Sequence, residues 1–218
     1  MLPIRTMSAG LAAGLELAAA LSPARADEAL EQALRNYPPL IMGANTRPAD
    51  GAGPYARACP LGGTVEQKGG PTIRYLGADP ANPALCRMQI GERPVQAWYG
   101  IWLTIWPGSD QASIALGRLI RGRTGETEAF DVRMAPGLAF HDVLRNDGVE
   151  DIRLLGTVYR AVKISHYREG MEGNTYRSLT TGWKDLASGM LVYVTYQHIA
   201  GTPELYVPLL PTAIVPEP

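Results

Sequence analysis

A chain of 218 residues with 46% hydrophobic content is long enough to bury one sizeable core. Its formal charge is −1, from 20 Lys and Arg against 21 Asp and Glu, and it has no basic cluster. That balance argues against nucleic acid as a partner and gives no electrostatic reason to bind anionic lipid.

At the start of the chain, Arg5 precedes an Ala/Leu/Gly-rich run from Met7 to Leu21, and Ala24-Arg25-Ala26 follows. A basic start, an apolar middle and a small-x-small exit form a secretory signal, with cleavage expected after Ala26. The apolar run is too short to cross a bilayer, and Glu16 interrupts it. Val95 to Trp106 is also too short and carries Gln96 and Gly100, so no membrane-spanning helix is expected. The expected location is the periplasm or the extracellular medium. Residues 27–60 form an N-terminal helix and a Pro/Gly-rich linker in this reading, 61–210 a single β-rich domain, and 211–218 an extended tail.

Asp27 to Arg35 has the helical spacing, with Leu30, Ala33 and Leu34 on one face, and Tyr37-Pro38-Pro39 stops it. Asn45 to Pro60 is rich in Gly, Pro and Ala and is expected to be an extended loop. Cys59 and Cys86 are the only cysteines, and an isolated pair in an oxidising compartment forms a disulfide. Two cysteines and three scattered histidines offer no metal-ligand spacing, and no cofactor is implied.

From Thr64 onward the pattern is β-branched and aromatic runs broken by turn residues. Thr72–Leu76 and Leu85–Ile90 alternate as strands. Val95 to Trp106 fits two templates. As a strand it puts Trp98, Trp102 and Trp106 on one face. As a helix, Val95, Trp98, Tyr99, Trp102, Leu103 and Trp106 make a stripe. Aromatic and β-branched content favours the strand. Such a face packs into the core in most proteins. The functional alternative is a groove for an acyl chain or a sugar, which makes Trp98, Trp102 and Trp106 the ligand-groove candidates.

Pro107–Asp110 turns into the main helix, about 110–121, with Ala112, Ala115, Leu116, Leu119 and Ile120 at helical spacing. Glu128–Val132 is a strand, and Asn146-Asp147-Gly148 signals a turn between strands at 140–143 and 149–154. Thr157–Tyr167, Thr175–Trp183 and Leu191–Ile199 are strands, the last two joined by a hairpin turn over Asp185–Gly189. Glu204–Leu209 is the last candidate strand. The fold class is therefore mainly β, an antiparallel meander curved into an open barrel or a sandwich with one main helix.

Gly148-Val149-Glu150-Asp151-Ile152, Gly156-Thr157-Val158-Tyr159-Arg160-Ala161 and Trp183…Gly189 together form a recurring pattern. Over residues 146–199 it is similar to uncharacterised exported bacterial proteins with an open β-barrel, an architecture shared with the periplasmic lipoprotein-localisation carriers. Leu154-Leu155 departs from the Pro-Ala pair common there. The resemblance implies an apolar groove on one side of a curved sheet and no catalytic residues.

Catalytic candidates are few. No Gly-x-Ser-x-Gly or Ser-x-x-Lys occurs. Ser165 and His166 are strand neighbours and face opposite ways. His166 and His198 approach each other if their strands pair; otherwise His141, His166 and His198 are strand-end residues, each satisfied by one hydrogen bond. Asp147, Glu150 and Asp151, like Glu126 and Glu128, are expected to be solvated charge. The leading functional expectation is an exported, non-catalytic protein that binds an apolar ligand or a cell-envelope partner. The alternatives are an envelope hydrolase with a carboxylate or His site, and a structural or interaction protein without a small ligand.

Overall fold

The computed structural model describes residues 23–36, 45–48, 57–203 and 208–217. Two helices are described, α1 (Pro23–Asn36) and α2 (Ser109–Leu119). The strands are β1 (Asn45–Pro48), β2 (Gly63–Gln67), β3 (Ile73–Asp79), β4 (Asn82–Ile90), β5 (Arg93–Trp98) and β6 (Trp102–Leu103), then β7 (Thr127–Ala135), β8 (Leu138–Leu154), β9 (Thr157–Met171), β10 (Arg177–Asp185), β11 (Leu191–Ala200) and β12 (Pro211–Pro216). They form two six-stranded antiparallel sheets among the described residues. The first runs β1-β8-β9-β10-β11 with β7 beside β8, and the second runs β12-β2-β3-β4-β5-β6. Each is a meander at heart, and the two lie face to face as a sandwich-like pair. The mainly β expectation holds in its sandwich form, and the pair of sheets does not close into a barrel.

The period-2 patterns explain the long strands of the first sheet. Along β10, Leu179 and Trp183 face one way, while Ser178, Thr180, Gly182 and Lys184 face the other. Leu179 packs with Leu30 and Ala33 of α1 and with Val143 and Tyr167, so α1 covers the outer face at one end. The inner face packs on the second sheet through Val65, Tyr75, Met88 and Ala97 against Met190, Val192 and Val194. The Tyr75 hydroxyl lies 3.3 Å from both the backbone N and the carbonyl O of Leu191 and links the two sheets. α2 buries Ala112, Ala115, Leu116 and Leu119 against Tyr99, Trp102 and Leu144. A Cβ on Gly117 would meet the Tyr99 hydroxyl at 2.6 Å, which accounts for a glycine inside this helix.

Several expectations are corrected. Asn146-Asp147-Gly148 does not end a strand: β8 runs through it with a bulge, Asn146 pairing with Ile164 and Gly148 with Lys163. The Asn146 side chain supplies the local bonds that a turn would use. Its Nδ2 donates to the Leu119 carbonyl at the end of α2 (2.8 Å), and its Oδ1 accepts from the Gly148 N–H (2.8 Å). Val95 to Trp106 is neither one strand nor a helix. Tyr99 and Gly100 both adopt positive φ, at 55° and 68°, and fold the segment into a hairpin with Trp98 opposite Trp102. Residues 211–216 are not a tail: β12 pairs with β2, and proline is tolerated at such strand ends. Part of the expected linker is β1, paired with β8. Residues 204–207 of the last candidate strand lie outside the described residues, as do residues 1–22 of the expected leader; α1 runs through Ala26. No helix among the described residues is long and apolar enough to cross a membrane.

Cys59 and Cys86 are bonded, with Cα atoms 5.3 Å apart and a sequence separation of 27. On the chain-entropy account such a link is worth about 3–4 kcal/mol. Reduction is expected to raise amide exchange over residues 57–80 well before it does so over β9 to β11. A uniform rise along the chain would contradict this local role.

Candidate functional site

A cleft of about 680 Å³ lies between the sheets. One wall comes from the second sheet and is mostly apolar, with Ile73, Tyr75, Met88, Ile90 and Ala97 beside Gln67. The β5–β6 hairpin and the segment after it continue this wall with Ile101, Trp102, Leu103 and Trp106. The other wall is the inner face of β9, β10 and β11, and its register gives it two chemically different ends. Ile164, Gly182 and Val194 form one row across the three strands. The next row is His166, Thr180 and Tyr196, and beyond it Arg168 pairs with Ser178. All of these line the cleft, with Tyr176 beside the last row.

Behind the polar end sits Asp142 of β8, with no exposed surface. Arg168 clamps it through Nε (2.7 Å) and Nη2 (2.8 Å), and His166 Nε2 lies 2.9 Å from Oδ1. Burial pushes the Asp142 carboxyl up, but the His166 charge and the bonds from Arg168 and His166 outweigh it and bring it down to about 2. The Arg168 guanidinium also lies 4.9 Å over the Phe140 ring. The two bonds to Asp142 and the Phe140 ring hold it in place, and a preorganised guanidinium is suited to a planar acceptor.

At the other end Lys184 is completely buried. Its Nζ donates to the Tyr99 carbonyl (2.9 Å) and to the Gly189 carbonyl, tying the β5–β6 turn to the β10–β11 turn. Burial pulls this amine down to about 7, and neighbouring Asp185 acts in the opposite direction.

The three tryptophans separate. Trp102 is buried and lines the cleft, its ring centroid 5.1 Å from His166 and 5.8 Å from Trp106. Its Nε1 has no hydrogen-bond partner among the described residues. Trp106 lines the cleft with 38% of its surface exposed. Trp98 is not part of the lining: its Nε1 donates to Ser109 Oγ (2.8 Å) and it packs beside α2. The hairpin turn, which the strand reading did not foresee, is what divides them.

The remaining candidates also fall into place. β10 lies between the strands of His166 and His198, so those two do not pair. His198 Nε2 contacts the Gly201 carbonyl (3.0 Å), and His141 Nδ1 contacts Asp131 (2.6 Å). Asp147 and Glu150 are not solvated loop charge: Asp147 bonds Arg145 and Ser165, and Glu150 accepts from Trp183 Nε1. No group of three or more His, Cys, Asp or Glu able to hold a metal ion occurs among the described residues. Asp142, Arg168, Lys184 and the Ser178/Thr180 row were not foreseen. The alternation Ser178-Leu179-Thr180-Thr181-Gly182-Trp183-Lys184 was the available signal, since small or polar residues at every second position of a strand opposite Leu and Trp mark a face not filled by its own side chains.

Fold and site together define a two-sheet β protein with an amphipathic intersheet cleft. No protein-family model matches the chain, no curated protein matches it, and no solved structure matches it.

Proposed function

We propose that this is an exported, non-catalytic protein that binds an apolar ligand in the intersheet cleft. The observation that carries the reading is the cleft itself, about 680 Å³, with one predominantly apolar wall that its own side chains leave unfilled. That volume is typical of small-molecule sites. The signal-like leader and the Cys59–Cys86 bond are compatible with a protein of an oxidising, extracytoplasmic compartment. The resemblance to open-barrel carriers over residues 146–199 points the same way. The hydrolase alternative would have to rest on His166 and the buried Asp142 behind it, since no Asp or Glu lines the cleft among the described residues.

An environment-sensitive apolar dye titrated into the protein is expected to bind saturably and to change tryptophan emission through Trp102 and Trp106. Covering apolar wall stabilises the complex by about 25 cal/mol per Å². Trp106→Ala, at the half-open margin, is expected to weaken the dye while leaving the fold intact. Linear, unsaturable uptake would overturn the reading and leave the interaction-protein alternative.

A further inference from the structure

We infer that the ligand is an amphiphile with an anionic head, a long-chain carboxylate, which seats its head at the Arg168–Thr180 end and lays its chain toward Ile164 and Val194. This rests on the apolar-ligand reading of the cleft and adds the head group and its direction.

Rows of partners across β9, β10 and β11 change from Ile164–Gly182–Val194 to His166–Thr180–Tyr196 and then to Arg168–Ser178. The cleft therefore has an apolar end and a polar end, a few residues apart along the same strands. A wholly apolar ligand would leave the polar end dry and its groups desolvated, which is costly. A ligand with a polar head satisfies both ends.

The sign of the head follows from the donors present. Asp142 offsets the Arg168 charge, but Asp142 is the buried member of the pair and Arg168 the one that lines the cleft, and a guanidinium only donates. Ser178 and Thr180 contribute hydroxyls to the same wall. Asp142, the carboxylate nearest this end, has no exposed surface and spends its oxygens on Arg168 and His166. No acid lines the cleft among the described residues, so an ammonium head finds no counter-charge there. The facing wall, with Ile73, Met88 and Ile90 beside the neutral Gln67, offers a cation no counter-charge. A carboxylate head instead meets a guanidinium already held by Asp142 and the Phe140 ring. Lys184 does not serve as the head partner, because its amine is turned onto the Tyr99 and Gly189 carbonyls.

The test uses the full chain and three ligands of one chain length: hexadecanoate, its methyl ester and hexadecylammonium, each displacing the apolar dye. Hexadecanoate is expected to bind at least ten-fold tighter than the ester, and the ammonium weakest. If none displaces the dye, the cleft reading itself falls. If all three bind alike, or the ammonium binds best, the cleft reading stands and the anionic head is wrong. Thr180→Val is expected to weaken hexadecanoate several-fold and leave the ester unchanged; equal effects on both would count against the head site. Arg168→Gln should abolish the preference for the acid and Arg168→Lys should keep part of it. If Arg168→Gln does not fold, Thr180→Val and the ligand series decide. Direction is read by bromine quenching. With Trp102 5.1 Å from His166, 2-bromohexadecanoate should quench more strongly than the 16-bromo acid, and the reverse order would overturn the orientation.

Discussion

Trp183→Ala is expected to lower the stability of the protein by about 3–5 kcal/mol, as large-to-small changes of a buried aromatic do. Trp183 has no exposed surface and sits where the β10–β11 hairpin begins. It stands opposite Tyr193, with ring centroids 5.4 Å apart, and the Lys163 ammonium lies 5.7 Å from its ring. Its Nε1 donates to Glu150, which reaches across from β8. The substitution therefore opens a cavity and also leaves Glu150 without this donor. Urea denaturation read by far-UV circular dichroism measures the loss. A value below about 1 kcal/mol would show that the site collapses around the smaller side chain or that the ring is dispensable to the core. Trp183→Phe separates the two contributions, since it keeps most of the packing and removes only the N–H.

The hairpin beside Trp183 was legible, because Asp185 to Gly189 carries turn chemistry that local sequence dictates. Asp185 Oδ2 accepts from the Ser188 backbone N–H (2.7 Å) and hydroxyl (2.6 Å), and Gly189 takes the left-handed position at φ 74°. α2 and the three long strands after Gly156 were legible for the same reason, since periodicity and turn residues act locally. The failures share the opposite cause. Asn146-Asp147-Gly148 has turn residues, yet long-range pairing with β9 on one side and capping of α2 on the other converts the turn into a bulge. Tyr99 lacks the composition of a left-handed turn residue, so Gly100 alone marked the hairpin that parts Trp98 from Trp102, and a single glycine within an aromatic run did not decide it. Pro211 and Pro216 suggested a tail, but a strand with prolines at its ends can still pair at a sheet edge. The site was hardest of all. Asp142, His166 and Arg168 meet only because β8 and β9 pair in one register, and a slip of one residue would send these side chains to opposite faces.

That register places the second large effect at Asp142. Asp142→Asn keeps the shape of the side chain and removes its charge, leaving Arg168 and His166 facing a neutral amide. Breaking a buried pair by removing one partner costs about 3–5 kcal/mol, because the remaining charge is left uncompensated. The pH dependence identifies the charge as the cause. The carboxyl lies near 3.8 in the unfolded chain and is held at about 2 in the fold. A depressed carboxyl stabilises the fold above the unfolded value, and that stabilisation drains away as pH falls from about 4 to about 2. The shift corresponds to about 2 kcal/mol. Urea midpoints of the two proteins at pH 7, 4 and 2.5 should therefore show a gap that is widest at neutral pH and narrows in acid. The Asp142→Asn/Arg168→Gln double variant should cost less than the two single changes added together, since each single change strands the other's charge. A gap that stays constant from neutral pH into acid would mean that the Asp142 charge stabilises nothing. It would also remove the support that holds the Arg168 guanidinium at the polar end of the cleft.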